Sequence, residues 1–178
     1  MHSEARSFVL QVKGRFPKLF ADSRAQVLEV GSLYINGGIR DLFKSARYTG
    51  IDVARGPGVD VVVDASEFDG GPFDVIASTE MFEHNARWRE TWANMIRLAR
   101  PGGLVFFTCA TTGRGEHGTH ANDPNSSPAT LDYYGNRVAG DFDTSAFERF
   151  EWSVDRGHHD LFFWGIKHGD VLGRSTGE

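Results

Sequence analysis

Glu29, Gly31 and Asp52 are the residues of this 178-residue chain whose types and spacing first suggest chemistry. Val27-Leu28-Glu29-Val30-Gly31-Ser32 is a short apolar run ending in Glu-Val-Gly, the pattern of a buried parallel strand that breaks into a tight turn. Asp52 stands near the end of a second such run, Tyr48-Thr49-Gly50-Ile51-Asp52-Val53. The spacing of about twenty residues is the one at which an α/β sheet presents a carboxylate to the hydroxyls of a ribose. The pair predicts a grip on a nucleoside-containing cofactor. The turn itself, Gly31-Ser32-Leu33-Tyr34-Ile35-Asn36-Gly37-Gly38, lacks the G-x-G-x-x-G pattern that lets a backbone press against a pyrophosphate. Leu33, Tyr34 and Ile35 are too bulky for that approach, so the expected ligand has a nucleoside and no pyrophosphate.

Holding these residues in place requires a sheet, and the rest of the chain reads as one. Ala5, Phe8, Val9, Val12 and Phe16 fall on one face of an N-terminal helix within residues 1–22, closed by Pro17. After the first strand, Asn36 can cap a helix whose apolar face is Ile39, Leu42, Phe43 and Ala46. The strand at 48–53 follows, then Gly56-Pro57-Gly58 and a third strand at 59–64. Phe73–Ser78 reads as a fourth buried strand. A long helix carrying Trp88, Trp92, Met95, Ile96 and Ala99 comes next, and Pro101-Gly102-Gly103 stops it before a fifth strand, Leu104–Ala110. Such alternation implies a parallel sheet covered on both faces. The runs 150–154 and 161–167 are joined too closely for a crossover and predict an antiparallel hairpin. The expected fold is therefore α/β, a Rossmann-like doubly wound sheet, mostly parallel, in a single domain spanning residues 1–178.

This order of motifs resembles the class I S-adenosylmethionine-dependent methyltransferases, in particular their small-molecule branch. Leu28-Glu29-Val30-Gly31 matches the family's first motif, Asp52 the acidic residue closing the second strand, and Asp64-Ala65 the segment against adenine. Phe73-Asp74-Val75-Ile76 with Thr79-Glu80-Met81-Phe82-Glu83-His84 resembles the fourth-strand motif, and Leu98–Leu104 the turn before the fifth strand. The resemblance implies S-adenosylmethionine as cofactor. It places Gly31 and Ser32 in the close-approach turn and makes Glu29 orient that turn or face the methionine ammonium. Asp52, with Val53 beside it, would accept from both ribose hydroxyls, and Asp64 from the adenine amino group, with the Ala65 amide supporting the ring. Thr79 and Glu80 would line the methyl-donor side.

The long polar segment 111–130 follows the last parallel strand, where it can fold over the methyl group as a lid. Methyl transfer needs positioning, and a base only for a weak nucleophile such as a hydroxyl. His117 is a candidate base. His84 is a second, against the plainer reading that it orients the start of the helix that follows. Glu80 and Glu83 have a plain alternative as carboxylates at that helix's N-terminus. His120 is a further loop base, and Tyr133 and Tyr134 could shape the acceptor pocket. His117, His120, Asp123, His158, His159 and Asp160 could instead supply metal ligands, but His-x-x-His on a loop fits no common site, and no metal is expected.

Composition bounds the partners. A hydrophobic fraction of 40% and a charged fraction of 24% are those of a globular protein, and the net charge of -5 argues against a nucleic-acid footprint. No apolar span reaches membrane length and no signal peptide is recognisable, which predicts a cytoplasmic protein without a membrane partner. The single cysteine, Cys109, lies in an apolar run and reads as a buried, inert thiol. The expected activity is methylation, at oxygen, of a small-molecule or glycosyl acceptor, with a homodimer as one way to complete the acceptor site. The rivals are a protein that binds the cofactor or its demethylated product without turnover, and a nicotinamide-dependent enzyme, which the bulky turn and the hairpin disfavour.

Overall fold

Residues 2–44 and 47–169 are described by a computed structural model. Three largely apolar runs make the centre of a seven-stranded sheet: β1 (Gln26–Val30), β4 (Phe73–Thr79) and β5 (Ala99–Ala110). Most of their side chains are apolar because both faces are buried, as parallel central strands require. With β2 (Arg47–Asp52), β3 (Val61–Val62), β6 (Phe147–Asp155) and β7 (Asp160–Lys167), the spatial order is β3-β2-β1-β4-β5-β7-β6. The first five strands run parallel. β7 lies antiparallel between β5 and β6, so the expected hairpin is present.

Each face has its own core. Against one lie α1 (Ser3–Arg15) and α2 (Pro17–Ala21), whose Phe8, Val9, Val12 and Phe20 pack on Val27, Val75, Phe106 and Phe162. Against the other lies α3 (Trp88–Leu98), burying Trp88, Trp92, Met95 and Leu98 on Ile76, Phe107 and Phe163. The N-terminal helix is two helices: Phe16 leaves helical geometry and Pro17, whose missing N–H suits a first turn, starts α2.

The helix expected after Asn36 is a single 3-10 turn, Arg40–Leu42. Ile39, Leu42 and Phe43 are buried, so their helical spacing reports burial alone. The chain is held there by long-range bonds, Lys13 to the Leu42 carbonyl (2.9 Å) and the Lys44 amide to the Phe20 carbonyl (2.9 Å). Ala46 lies outside the described residues. The third strand shrinks to Val61–Val62, both exposed, because its Asp60 turns to accept from the Gly50 amide (2.7 Å) and from Arg40. Helix α3 stops at Leu98, and Ala99 already pairs with Phe73. Pro101 disfavours helical geometry at Arg100 and has no amide to donate. Cys109 is fully buried, which pushes its thiol pKa up. Among the described residues no helix is long and apolar enough to cross a membrane.

Candidate functional site

A cleft of about 740 Å³ opens at the carboxyl ends of β1, β2 and β4, where open α/β sheets bind ligands. Glu29, Gly31, Ser32, Asp52, Val53, Asp64, Ala65, Thr79, Glu80, His84 and His117 all line it. The turn after β1 is clamped to β2: the Gly31 and Ser32 amides both donate to the Ile51 carbonyl at 3.0 Å. Gly31 has a φ of 74°, and a Cβ there would sit 2.7 Å from the Met81 side chain. Only glycine fits that left-handed turn without strain. The Ser32 hydroxyl is buried without a partner.

Asp52 reaches back to the same turn. Its Oδ2 accepts from the Leu33 amide and its Oδ1 from the Ala54 amide, each at 3.1 Å. Glu29 is 2% exposed and accepts from the Tyr48 hydroxyl at 2.8 Å. Burial pushes its pKa up to about 7, against the smaller opposing pull of Tyr48 and Arg40. Asp64 closes its own turn, accepting from the Ser66 amide (2.8 Å) and hydroxyl (2.7 Å), and pairs with Arg87 at 3.1 Å. Burial works to raise its carboxyl, but Ser66 and Arg87 together hold it below the ordinary range.

Past the end of β4 the chain crowds acids and imidazoles together. Glu80 adopts a φ of 54°, rare for a non-glycine residue, and its Oε1 accepts from the Thr108 hydroxyl at 2.7 Å. Glu83 and His84 sit on a 3-10 turn, Phe82–His84, ahead of α3. Neither is the N-cap of that helix, which is Arg87. Glu83 is fully buried. Its Oε1 accepts from the Ala110 amide (3.2 Å), its Oε2 has no partner, and burial followed by the Glu80 carboxylate drives its pKa well up. His84 is 7% exposed, its Nδ1 is buried without a partner, and burial lowers its pKa to about 4. It is therefore neutral near pH 7. The His117 ring packs 5.0 Å from that of His84, with Tyr134 against both.

The expected lid is the first part of a longer segment, 111–146, with two 3-10 turns, Pro124–Ser126 and Ala139–Asp141. It is tied to the body by the Gly135 amide to the Glu83 carbonyl (2.8 Å) and the Arg137 amide to the Ala110 carbonyl (2.9 Å). Arg114 in this segment pairs with the buried Asp160 at 3.1 Å, whose pKa burial and Glu80 raise to about 7. The suggested loop metal set is dispersed: exposed His120 pairs with Asp132, His158 with Asp155, and His159 with the Thr112 carbonyl. Of that set, among the described residues only His117 belongs to a group of three possible ligands, with Glu83 and His84. Trp88 and Trp92 are core. Tyr133 lines the cleft, and so do His2, Tyr34, Arg87 and Arg114, which sequence reasoning missed. No spacing marks them; they reach the cleft from the N-terminus and from loops whose course the sequence does not reveal.

Residues 1–163 match a family model described as a methyltransferase domain. No sequence among curated proteins matches the chain. Among solved structures, it is similar to Haemonchus contortus phosphoethanolamine N-methyltransferase 2, crystallised with phosphomonomethylethanolamine and S-adenosylhomocysteine. The identity is 15% and the TM-score 0.61, over 92% of this chain and 53% of that one. This chain thus spans about half the length of the nematode enzyme. The magnesium protoporphyrin IX methyltransferase of Synechocystis PCC 6803, with bound S-adenosylmethionine, shares 13% identity at a TM-score of 0.56, over 92% and 79% of the two chains. The CurJ carbon methyltransferase shares 14% at 0.58, over 90% and 52%. These likenesses show the fold. With the family match over most of its length, the chain belongs to the class I S-adenosylmethionine-dependent methyltransferases.

Proposed function

We propose that this domain transfers the methyl group of S-adenosylmethionine to an oxygen of a small-molecule or sugar-type acceptor. The observation that carries the reading is the convergence on one cleft of a bare left-handed turn at Gly31, the Asp52 carboxylate and the further carboxylates of Glu29, Asp64 and Glu80. S-adenosylmethionine, when bound, supplies an electrophilic methyl group on a positively charged sulfur. The residues fit such a molecule. Asp52 spends one lone pair of each oxygen on the Leu33 and Ala54 amides, which fixes the carboxylate and leaves acceptor capacity for two ribose hydroxyls. Asp64 is aimed by Ser66 and Arg87 and would accept from the adenine amino group, beside the Ala65 amide. Glu29, held by Tyr48, would take up the methionine ammonium, whose charge favours the ionised carboxylate. Thr79 and Glu80 would border the donor methyl, and Glu80 adds the negative charge that suits a sulfonium.

A cleft of about 740 Å³ is of small-ligand size, and the acidic balance supports a small acceptor over nucleic acid. The oxygen assignment rests on the imidazoles: a hydroxyl is a weak nucleophile, and His117, half-exposed in the segment 111–146, is the base placed to take its proton. Thermal denaturation with S-adenosylmethionine, S-adenosylhomocysteine and NAD in parallel tests the cofactor. A ligand at a hundred times its Kd adds about 2.7 kcal/mol of stability, so the two adenosyl-sulfur compounds should raise the Tm and NAD should not. A response to NAD alone, or to none of the three, would overturn the reading.

A further inference from the structure

We propose that Glu83, His84 and His117 form a binding site for one divalent transition-metal ion at the end of the cleft beyond β4. One ligand atom from each lies within 4.8 Å of the other two. Ligands about 2.1 Å from a tetrahedral ion stand about 3.4 Å apart, a contraction that the half-exposed His117 can supply by a small swing of its loop. Two buried polar atoms of the set, Glu83 Oε2 and His84 Nδ1, have no partner. Such groups are rare in folded proteins and call for an occupant. A proton on Glu83 is not a sufficient one, because an Oε2 hydroxyl would itself lack an acceptor.

The surroundings favour a cation. Among the described residues no lysine or arginine pairs with Glu83, and Arg114 is already paired with Asp160. The donors are aimed by outer contacts of the kind that metal sites use. Glu83 Oε1 is fixed by the Ala110 amide, and His117 Nδ1 lies 3.0 Å from the Gly115 carbonyl, which leaves Nε2 free to ligate. Two imidazoles and a carboxylate favour zinc, cobalt or iron(II) over calcium or magnesium, which prefer all-oxygen sets. Three protein ligands leave a position open, as in catalytic zinc sites. Resting on the methyltransferase reading above, that position would take the acceptor's hydroxyl oxygen and make it acidic enough to lose its proton to water, so that in the loaded site His117 serves as a ligand in place of acting as the base.

The test uses the full chain, stripped with a chelator and titrated with Co²⁺ while visible absorption is followed, then competed with Zn²⁺. One equivalent of Co²⁺ should develop ligand-field bands that Zn²⁺ abolishes. Both E83Q and H117A should weaken binding at least about 10-fold, and H158A should not. H117A alters a half-exposed loop residue and keeps the proposal testable if E83Q fails to fold. No bands with the folded wild-type chain, or bands that survive in H117A, would overturn the site. S-adenosylmethionine affinity measured on the stripped chain separates the two readings: its absence would sink the methyltransferase assignment while the cobalt titration still decides the metal site.

Discussion

Asp52 holds a turn and faces a cleft with the same carboxylate. Both roles follow from one fact, that a chain leaving β2 at its carboxyl end must pass beside the chain leaving β1. Asp52→Ala is expected to weaken S-adenosylmethionine binding by about 2 kcal/mol, roughly 30-fold in Kd, because two hydroxyls lose a charged acceptor. Calorimetry reads the affinity, and a Tm on the same sample reads the turn. A lowered Tm with unchanged affinity would make Asp52 a turn residue only. Residues such as Gly31, Asp52 and Asp64 were legible in the sequence because their work depends on local backbone: the end of a strand, a left-handed turn, a side chain closing on an amide two residues away. Glu83, His84 and His117 are different. Their meeting depends on the path of the segment 111–146, and their lack of partners depends on what packs over them. No local pattern encodes either.

Elements follow the same division. The central strands declared themselves as short, mostly apolar runs, and the terminal hairpin as two such runs with too short a join. The stretch 37–43 misled because Ile39, Leu42 and Phe43 bury one side of a chain that lies on the sheet without coiling. Strand β3 misled because an edge that pairs only through Val61 and Val62 leaves its valines exposed. Helix α3 is the element on which the site most depends. Trp92 packs within 5.7 Å of the rings of Phe107, Phe142, Phe147 and Phe163, and its Nε1 donates to the Asp143 carbonyl at 2.9 Å. It therefore anchors the far end of the segment 111–146. Trp92→Ala should cost about 3–5 kcal/mol in urea unfolding. It should also raise amide exchange near Asp143 more than in β1. A loss below about 1 kcal/mol, with exchange unchanged, would mean that neighbouring rings refill the space and that Trp92 anchors nothing.

At the scale of the whole molecule, the fold stores carboxyl groups away from water and so ties its stability to pH. Burial raises Glu29 and Asp160 to about 7 each. Between pH 6.5 and 8 the unfolded chain has already released those protons while the folded chain still holds part of them. Unfolding then sheds protons, and stability falls as pH rises through 7. Each group accounts for about 1 kcal/mol across that window. The histidines work the other way and lower down. His84, near 4 when folded, and His2, also lowered by burial, bind protons more readily in the unfolded chain, so stability climbs towards pH 6.5 as that advantage fades. The raised carboxyls, Glu83 among them, outnumber the lowered histidines, so the metal-free, ligand-free protein should lose stability as pH rises through neutrality, the reverse of a protein whose carboxylates are all paired. Glu29→Gln isolates one share of the effect, since the amide keeps an acceptor for Tyr48 and never ionises. Its Tm relative to wild type should rise between pH 6.5 and 8, measured by calorimetry with chelator present. Parallel curves for the two proteins would mean that Glu29 is already ionised at pH 6.5, that Arg40 and Tyr48 outweigh its burial, and that the cleft meets its ligand with that charge in place.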